Sequence, residues 1–169
     1  MRARMPLDSH NDCGSLRARP LGPYGGTPMI RTAALEAWAP RVLSILRILI
    51  GLMFMEHGTA KLLHFPPSDA FAPGQPLPPL IFAGGVIELV AGALIAVGLF
   101  TRPAAFIAAG EMAVAYWMFH FKPDNPFPAN NGGDAAILYC FVFLYLVFRG
   151  AGPWSVDGWF DRRRPLSVS

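Results

Sequence analysis

Residues 80–100, LIFAGGVIELVAGALIAVGLF, decide the fold. Twenty-one consecutive residues carry a single charge, Glu88. As an α-helix they would reach about 31 Å, which matches the hydrocarbon core of a bilayer. This segment reads as a membrane span. Thr101-Arg102-Pro103 then forms a tight turn, and Pro103 opens a further apolar segment that ends near Phe121. Before it lies HFPPSDAFAPGQPLPP (64–79), with six prolines in sixteen residues. Such a stretch can be neither helix nor ladder strand, so an ordered or extended loop is expected.

Two more spans complete the pattern. VLSILRILIGLMFMEHGTAKLL (42–63) precedes the proline-rich loop, with Trp38 expected at headgroup level and Pro40 expected to open the helix. KPDNPFPANNGG (122–133) separates the third span from a short fourth, about Asp134 to Phe148. The fold class expected is all-α: a four-helix transmembrane bundle with spans near 42–63, 80–100, 103–121 and 134–148. Residues 1–36, rich in Pro, Gly and Arg, are expected to be a disordered tail, with Met29 as an alternative start. Residues 37–158 form the membrane domain, and 159–169 a basic cytoplasmic tail.

Composition agrees. Of 169 residues, 53% are hydrophobic and 15% charged, against about 25% charged in soluble domains. Four spans leave no room for a second globular domain. The net charge of +3 is not gathered on a folded basic face, so nucleic acid is not an expected partner. Cys13 and Cys140 lie in unlike environments, and no CxxC or metal-like Cys/His spacing occurs.

The cations set the topology. Outside the spans, both termini and the Arg102 turn carry eleven Lys and Arg; the two long loops have one lysine each at their edges, Lys61 and Lys122. The positive-inside rule puts both termini in the cytoplasm and both loops outside. An even number of spans fits.

Charges within the spans mark the candidate site. Glu56, Glu88, Glu111 and Asp134 fall one to each apolar segment, with Arg47 and Lys61 in the first. A charge at bilayer depth costs from about 2.5 to over 10 kcal/mol unless paired or neutralised. At about 100° per residue, Arg47, Gly51, Phe54, Gly58 and Lys61 share one face. Gly84, Glu88 and Gly92 share another, Ala104, Ala108, Glu111, Ala115 and Met118 a third, and Asp134, Leu138, Phe141, Tyr145 and Phe148 a fourth. Each of these faces is expected to pack inward. Arg47, His57, Lys61, Glu88, Glu111, Asp134 and Tyr145 are therefore the expected buried polar network or ligand site, with Arg47 and Glu88 joined in it. Glu56 sits opposite Arg47 and has no place in the stripe. Four acids against two bases imply a protonated carboxyl or a charged histidine. The alternative is that the charges only hold the helices together. His57 and His120 have no partner histidine at i+4, and His120 points away from Glu111, which argues against haem. No nucleotide, phosphate-loop or Ser/His/Asp motif is present, so no catalytic residue is assigned and no metal is expected.

LRILIGLMFMEHGTAKLL, GGVIELVAGALIAVGLFTRPAAFIAAGEMAVAYW, NNGGDAAILY and GAGPWSVDGW together resemble the DoxX family of small bacterial integral membrane proteins. The likeness rests most on Arg47 with His57-Gly58-xx-Lys61, on Glu88, on the Gly98–Arg102 turn, and on the Gly-Pro-x-Ser-x-Asp ending at Asp157. The resemblance implies a multi-pass protein of the bacterial inner membrane, linked to quinone-dependent redox systems. On that reading the chain is an accessory subunit with membrane or peripheral redox partners. It has no electron-carrying cofactor of its own, and a quinone is the ligand to test. A small ion, proton or solute transporter working as a homo-oligomer is the second reading, and a non-catalytic scaffold the third.

Overall fold

The computed structural model describes residues 33–163. Most of the expected tail, with Cys13 and Met29, lies outside the described residues, as does the end of the basic segment beyond Arg163. All regular structure among the described residues is helical: α1 (Ala33–Leu63), α2 (Pro79–Val97), α3 (Thr101–Ala115), α4 (Pro128–Asn131), α5 (Asp134–Arg149) and α6 (Val156–Arg163). A π-helical turn, Tyr116–His120, extends α3.

α1 departs from expectation at its start. It begins at Ala33 and runs through Pro40 instead of opening there. The bond that proline deletes would have ended on the Glu36 carbonyl, in the solvent-exposed first turns, where its loss is tolerated. α2 has Pro79 at its first position and ends at Gly98, whose φ of 74° is left-handed. Gly98 N–H and Leu99 N–H both return to the Leu94 carbonyl at 2.9 Å, closing the last turn. The 64–79 loop contains one 3₁₀ turn, Asp69–Phe71.

α1 packs along α2, α2 touches α3, and α3 packs along α5. Phe54 of α1 is fully buried against α5, with its ring 4.7 Å from Phe143 and 5.6 Å from Tyr139. The α1–α2 contact is backbone to backbone. A Cβ on Gly51 would lie 2.6 Å from Ala96 N, one on Gly58 2.5 Å from Leu89 N, and one on Gly92 2.7 Å from Met55 N. Glycines seven apart on α1 thus meet glycines seven apart on α2, Gly85 and Gly92. Small residues that let backbones approach are the usual basis of helix association in lipid. Buried alanines 104, 105, 108 and 109 serve α3 in the same way.

The buried faces of α1 and of α3's alanines follow the expected stripes, but α5 does not. Its buried side chains are Ala136, Tyr139, Phe143 and Leu146, while Asp134, Leu138, Phe141, Tyr145 and Phe148 are exposed. Met118 at the end of the α3 stripe is exposed too. α5 is apolar on nearly every side, so its sequence carries little pattern to distinguish its packed from its outer face, and the face of its acid is not the packed one. Packing of the Phe54, Tyr139 and Phe143 rings selects the other.

Large apolar side chains cover the outside: Leu49, Met53, Val90, Phe106, Ile107 and Phe141 are all more than half exposed. An apolar surface this extensive is foreign to a soluble monomer. α1 and α2 are each long and apolar enough to cross a membrane.

Candidate functional site

The charged groups divide into two centres on α1. Arg47 and Lys61 are fourteen residues apart, or about 21 Å along the helix.

Arg47, at the first centre, is completely buried and is bonded only to backbone carbonyls. Its Nε donates to Ala151 O at 2.7 Å, Nη1 to Ile95 O and to Ala96 O (2.6 Å), and Nη2 to Trp154 O. Two of these carbonyls end α2, where a cation also meets the negative pole of the helix. The other two belong to the segment that follows α5. Gly98 makes room here, since a Cβ on it would come within 3.0 Å of the guanidinium carbon and 2.5 Å of Ser155 Cβ. Arg47 therefore has no bond to Glu88. The expected Arg47–Glu88 network is replaced by a cap on α2, because a guanidinium has five donors and the nearest acceptors are backbone carbonyls, of which only Ile95 O has another donor among the described residues, the Gly98 N–H.

Three further side chains finish this end of the molecule. Asp157 accepts the N–H of Phe100 and of Thr101, each at 2.9 Å, capping α3 with a carboxylate. Arg102 donates from Nη1 to Val147 O and Phe148 O (3.1 Å), capping α5. Ser44 Oγ donates to Pro40 O at 3.1 Å and accepts Trp154 N–H at 3.3 Å. Asp157 and Arg102 lie outside the apolar segments, so charge within those segments does not point to them. The signal was available in the Gly98–Arg102 and Gly152–Asp157 motifs.

Lys61, Glu88 and Glu111 form the second centre. Lys61 Nζ lies 2.6 Å from Glu88 Oε1, with Lys61 18% and Glu88 3% exposed. Glu111 of α3, in electrostatic reach of both, places Oε1 3.0 Å from where a Cβ on Gly84 would be. Gly84 and Glu88 are one turn apart, so the missing methyl creates the recess that holds the Glu111 carboxyl. Glu88 Oε2 and Glu111 Oε2 are buried with no hydrogen-bond partner among the described residues. Buried polar atoms are rarely left so. The Phe71 ring, on the 64–79 loop, stands 6.0 Å from Lys61 Nζ. His64 holds that loop by donating from Nδ1 to Phe71 O at 2.8 Å.

The remaining expected site residues stand apart. His57 is exposed and meets the edge of the Tyr139 ring at 5.8 Å. His120 Nδ1 bonds Asn131 O at 3.3 Å in the second loop. Asp134 is exposed at the first residue of α5, and Tyr145 faces outward. Neither joins the lysine–glutamate centre, because the α5 face that carries them is the outer one. Glu56 is exposed. No group of three or more His, Cys, Asp or Glu among the described residues could hold a metal ion.

The chain is similar to known proteins. The DoxX family model matches residues 42–121, which include Arg47, Lys61, Glu88 and Glu111. An uncharacterised protein of Haemophilus influenzae is 46% identical over 131 residues, covering 76% of this chain and 98% of its own length. An uncharacterised membrane protein of Mycobacterium tuberculosis is 29% identical over 147 residues, covering 76% of this chain and 87% of its own. No solved structure matches the chain. With a relative this similar along almost its whole length, and a family model matching residues 42–121, the chain belongs to the DoxX family of membrane proteins.

Proposed function

We propose that this protein crosses the bacterial inner membrane four times, with both termini in the cytoplasm, and serves a quinone-linked redox system as a proton-handling accessory subunit. One observation carries the reading: Glu88 and Glu111 share a single lysine and keep two buried, unpartnered carboxyl oxygens. One ammonium compensates one carboxylate. The trio is neutral with one proton on the two glutamates and carries −1 without it. Within lipid that unit of charge is costly, so the proton is the natural cargo of the site. Quinone chemistry takes up and releases protons together with electrons. The chain offers the proton site, and the electron carrier belongs to a partner. Two clefts, of about 750 and 350 Å³, lie elsewhere on the molecule, and neither is lined by Lys61, Glu88 or Glu111.

The four spans are supported by α1, α2, α3 with its π-helical extension, and α5. At sixteen residues α5 reaches about 24 Å, short of the full hydrocarbon core, and the α4 loop before it supplies the rest of the depth.

Infrared difference spectroscopy on the protein in lipid nanodiscs tests the proton site. A protonated-carboxyl band should appear and titrate with pH, and Glu88→Gln or Glu111→Gln should abolish it. A folded wild type with no such band at any pH would sink the proposal. Mass spectrometry of quinones and subunits co-purified in mild detergent tests the redox link separately.

A further inference from the structure

The end of the molecule opposite the lysine–glutamate centre holds a cleft of about 750 Å³ between the α3 start, the α5 end and α6. Arg102, Arg149 and Arg163 line it, with Phe100, Pro103 and Phe160 at its apolar margin. Two acids line it as well, Asp157 and Asp161. Both oxygens of Asp157 are already committed to backbone N–H groups of α3. Three cations therefore face one uncommitted carboxylate. Arg102 uses only Nη1 on the α5 carbonyls and keeps Nη2 and Nε as donors. Its guanidinium lies over Gly150, with Nη2 3.2 Å from where a Cβ there would be. Arg149 is exposed and has no side-chain hydrogen bond or ion pair among the described residues. Arg163 stacks on Trp159, 3.7 Å from the ring centroid.

A second cleft, about 350 Å³ and almost wholly apolar, runs between α2 and α3 along Val86, Val90, Leu94 and Ile107. It shares Phe100 and Pro103 with the first. A basic recess at a helix end thus continues into an apolar groove on the helix flanks. Charge above and hydrocarbon below, joined at one rim, is the shape of a phospholipid.

We propose that these joined clefts bind an anionic phospholipid, its phosphate among Arg102, Arg149 and Arg163 and an acyl chain in the α2–α3 groove. Basic pockets at the cytoplasmic ends of spans bind acidic headgroups in this manner, and each arginine near the surface contributes appreciably. A guanidinium fork also suits phosphate oxygens better than a point charge does. The exposed Trp159 and Phe160 of α6 lie where aromatic side chains anchor at the headgroup level.

The test uses the full-length protein in neutral detergent, titrated with dioleoyl phosphatidylglycerol, dioleoyl phosphatidylcholine or inorganic phosphate while its melting temperature is followed. Phosphatidylglycerol should raise the melting temperature at about tenfold lower concentration than phosphatidylcholine, and phosphate alone should not raise it. Arg149→Gln and Arg163→Gln should each weaken phosphatidylglycerol by about fivefold and leave the lipid-free melting temperature unchanged. Val90→Trp, which fills the groove, should weaken it too. Equal response to the two lipids, or an unaltered preference in the double arginine variant, overturns the proposal. So does stabilisation by phosphate alone, which would name a free anion as the occupant, or a Val90→Trp protein that binds like wild type.

Discussion

A methyl group on Gly58 would lie 2.5 Å from the backbone nitrogen of Leu89 and 2.7 Å from the carbonyl oxygen of Gly85. This contact sets the distance between α1 and α2. Lys61, one turn beyond Gly58, reaches Glu88 because of it. Gly58→Ala cannot be absorbed by a side-chain movement, since both obstacles are backbone. It should lower stability by about 1–3 kcal/mol or more, and it should disturb the Lys61–Glu88 pair. Gly110→Ala is the control, for nothing lies within 4 Å of a Cβ there. In detergent melts it should be neutral or gain up to about 1 kcal/mol from helix propensity.

Arg47→Met leaves the carbonyls of Ala96, Ala151 and Trp154 without their donor, and that of Ile95 with only the Gly98 N–H at 3.1 Å. Each buried acceptor so orphaned costs about 1–3 kcal/mol, and the variant should be severely destabilised or fail to fold. Arg47→Lys should recover only part, because three donors on one nitrogen cannot span four carbonyls on two segments. Separate centres also predict an additive cycle. If Arg47→Lys and Glu88→Gln are combined, their effects on melting should sum within about 0.5 kcal/mol. A larger coupling energy would reinstate a shared network.

Lys61 and Glu88 should behave in the opposite way. Removing one member of a buried ion pair typically costs about 3–5 kcal/mol, whereas removing both can be close to neutral. Lys61→Met with Glu88→Gln should thus be more stable than the sum of the single effects indicates. Glu111→Gln should be the mildest of the three single changes, as its Oε2 has no partner to lose. Chemical denaturation of the four proteins in one detergent decides the matter, and additivity would dissolve the pair.

Reporter fusions check the orientation on which the cytoplasmic and outer assignments rest. Fusions after Pro73 and after Asn125 should be active only with a reporter that works once exported. Those at Arg102 or Ser169 should be active only with a cytoplasmic one. The reverse pattern would invert the assignment and move the phospholipid cleft to the outer leaflet.

The residue pattern alone carries the helical class, the apolar segments and the two proline-rich loops, because these follow from local properties: continuous hydropathy and proline's missing N–H. It also marked Arg47, Lys61, Glu88 and Glu111, since a charge within a span is conspicuous wherever it points. Partners were another matter. Only the tertiary structure decided that Arg47 caps α2 and the segment after α5 while Lys61 takes Glu88, as backbone carbonyls leave no trace in a residue pattern. Only packing decided which side of α5 turns inward. Both faces of that helix are apolar, so no polar stripe announces its outside, and the fit of Phe143 and Tyr139 against Phe54 makes the choice.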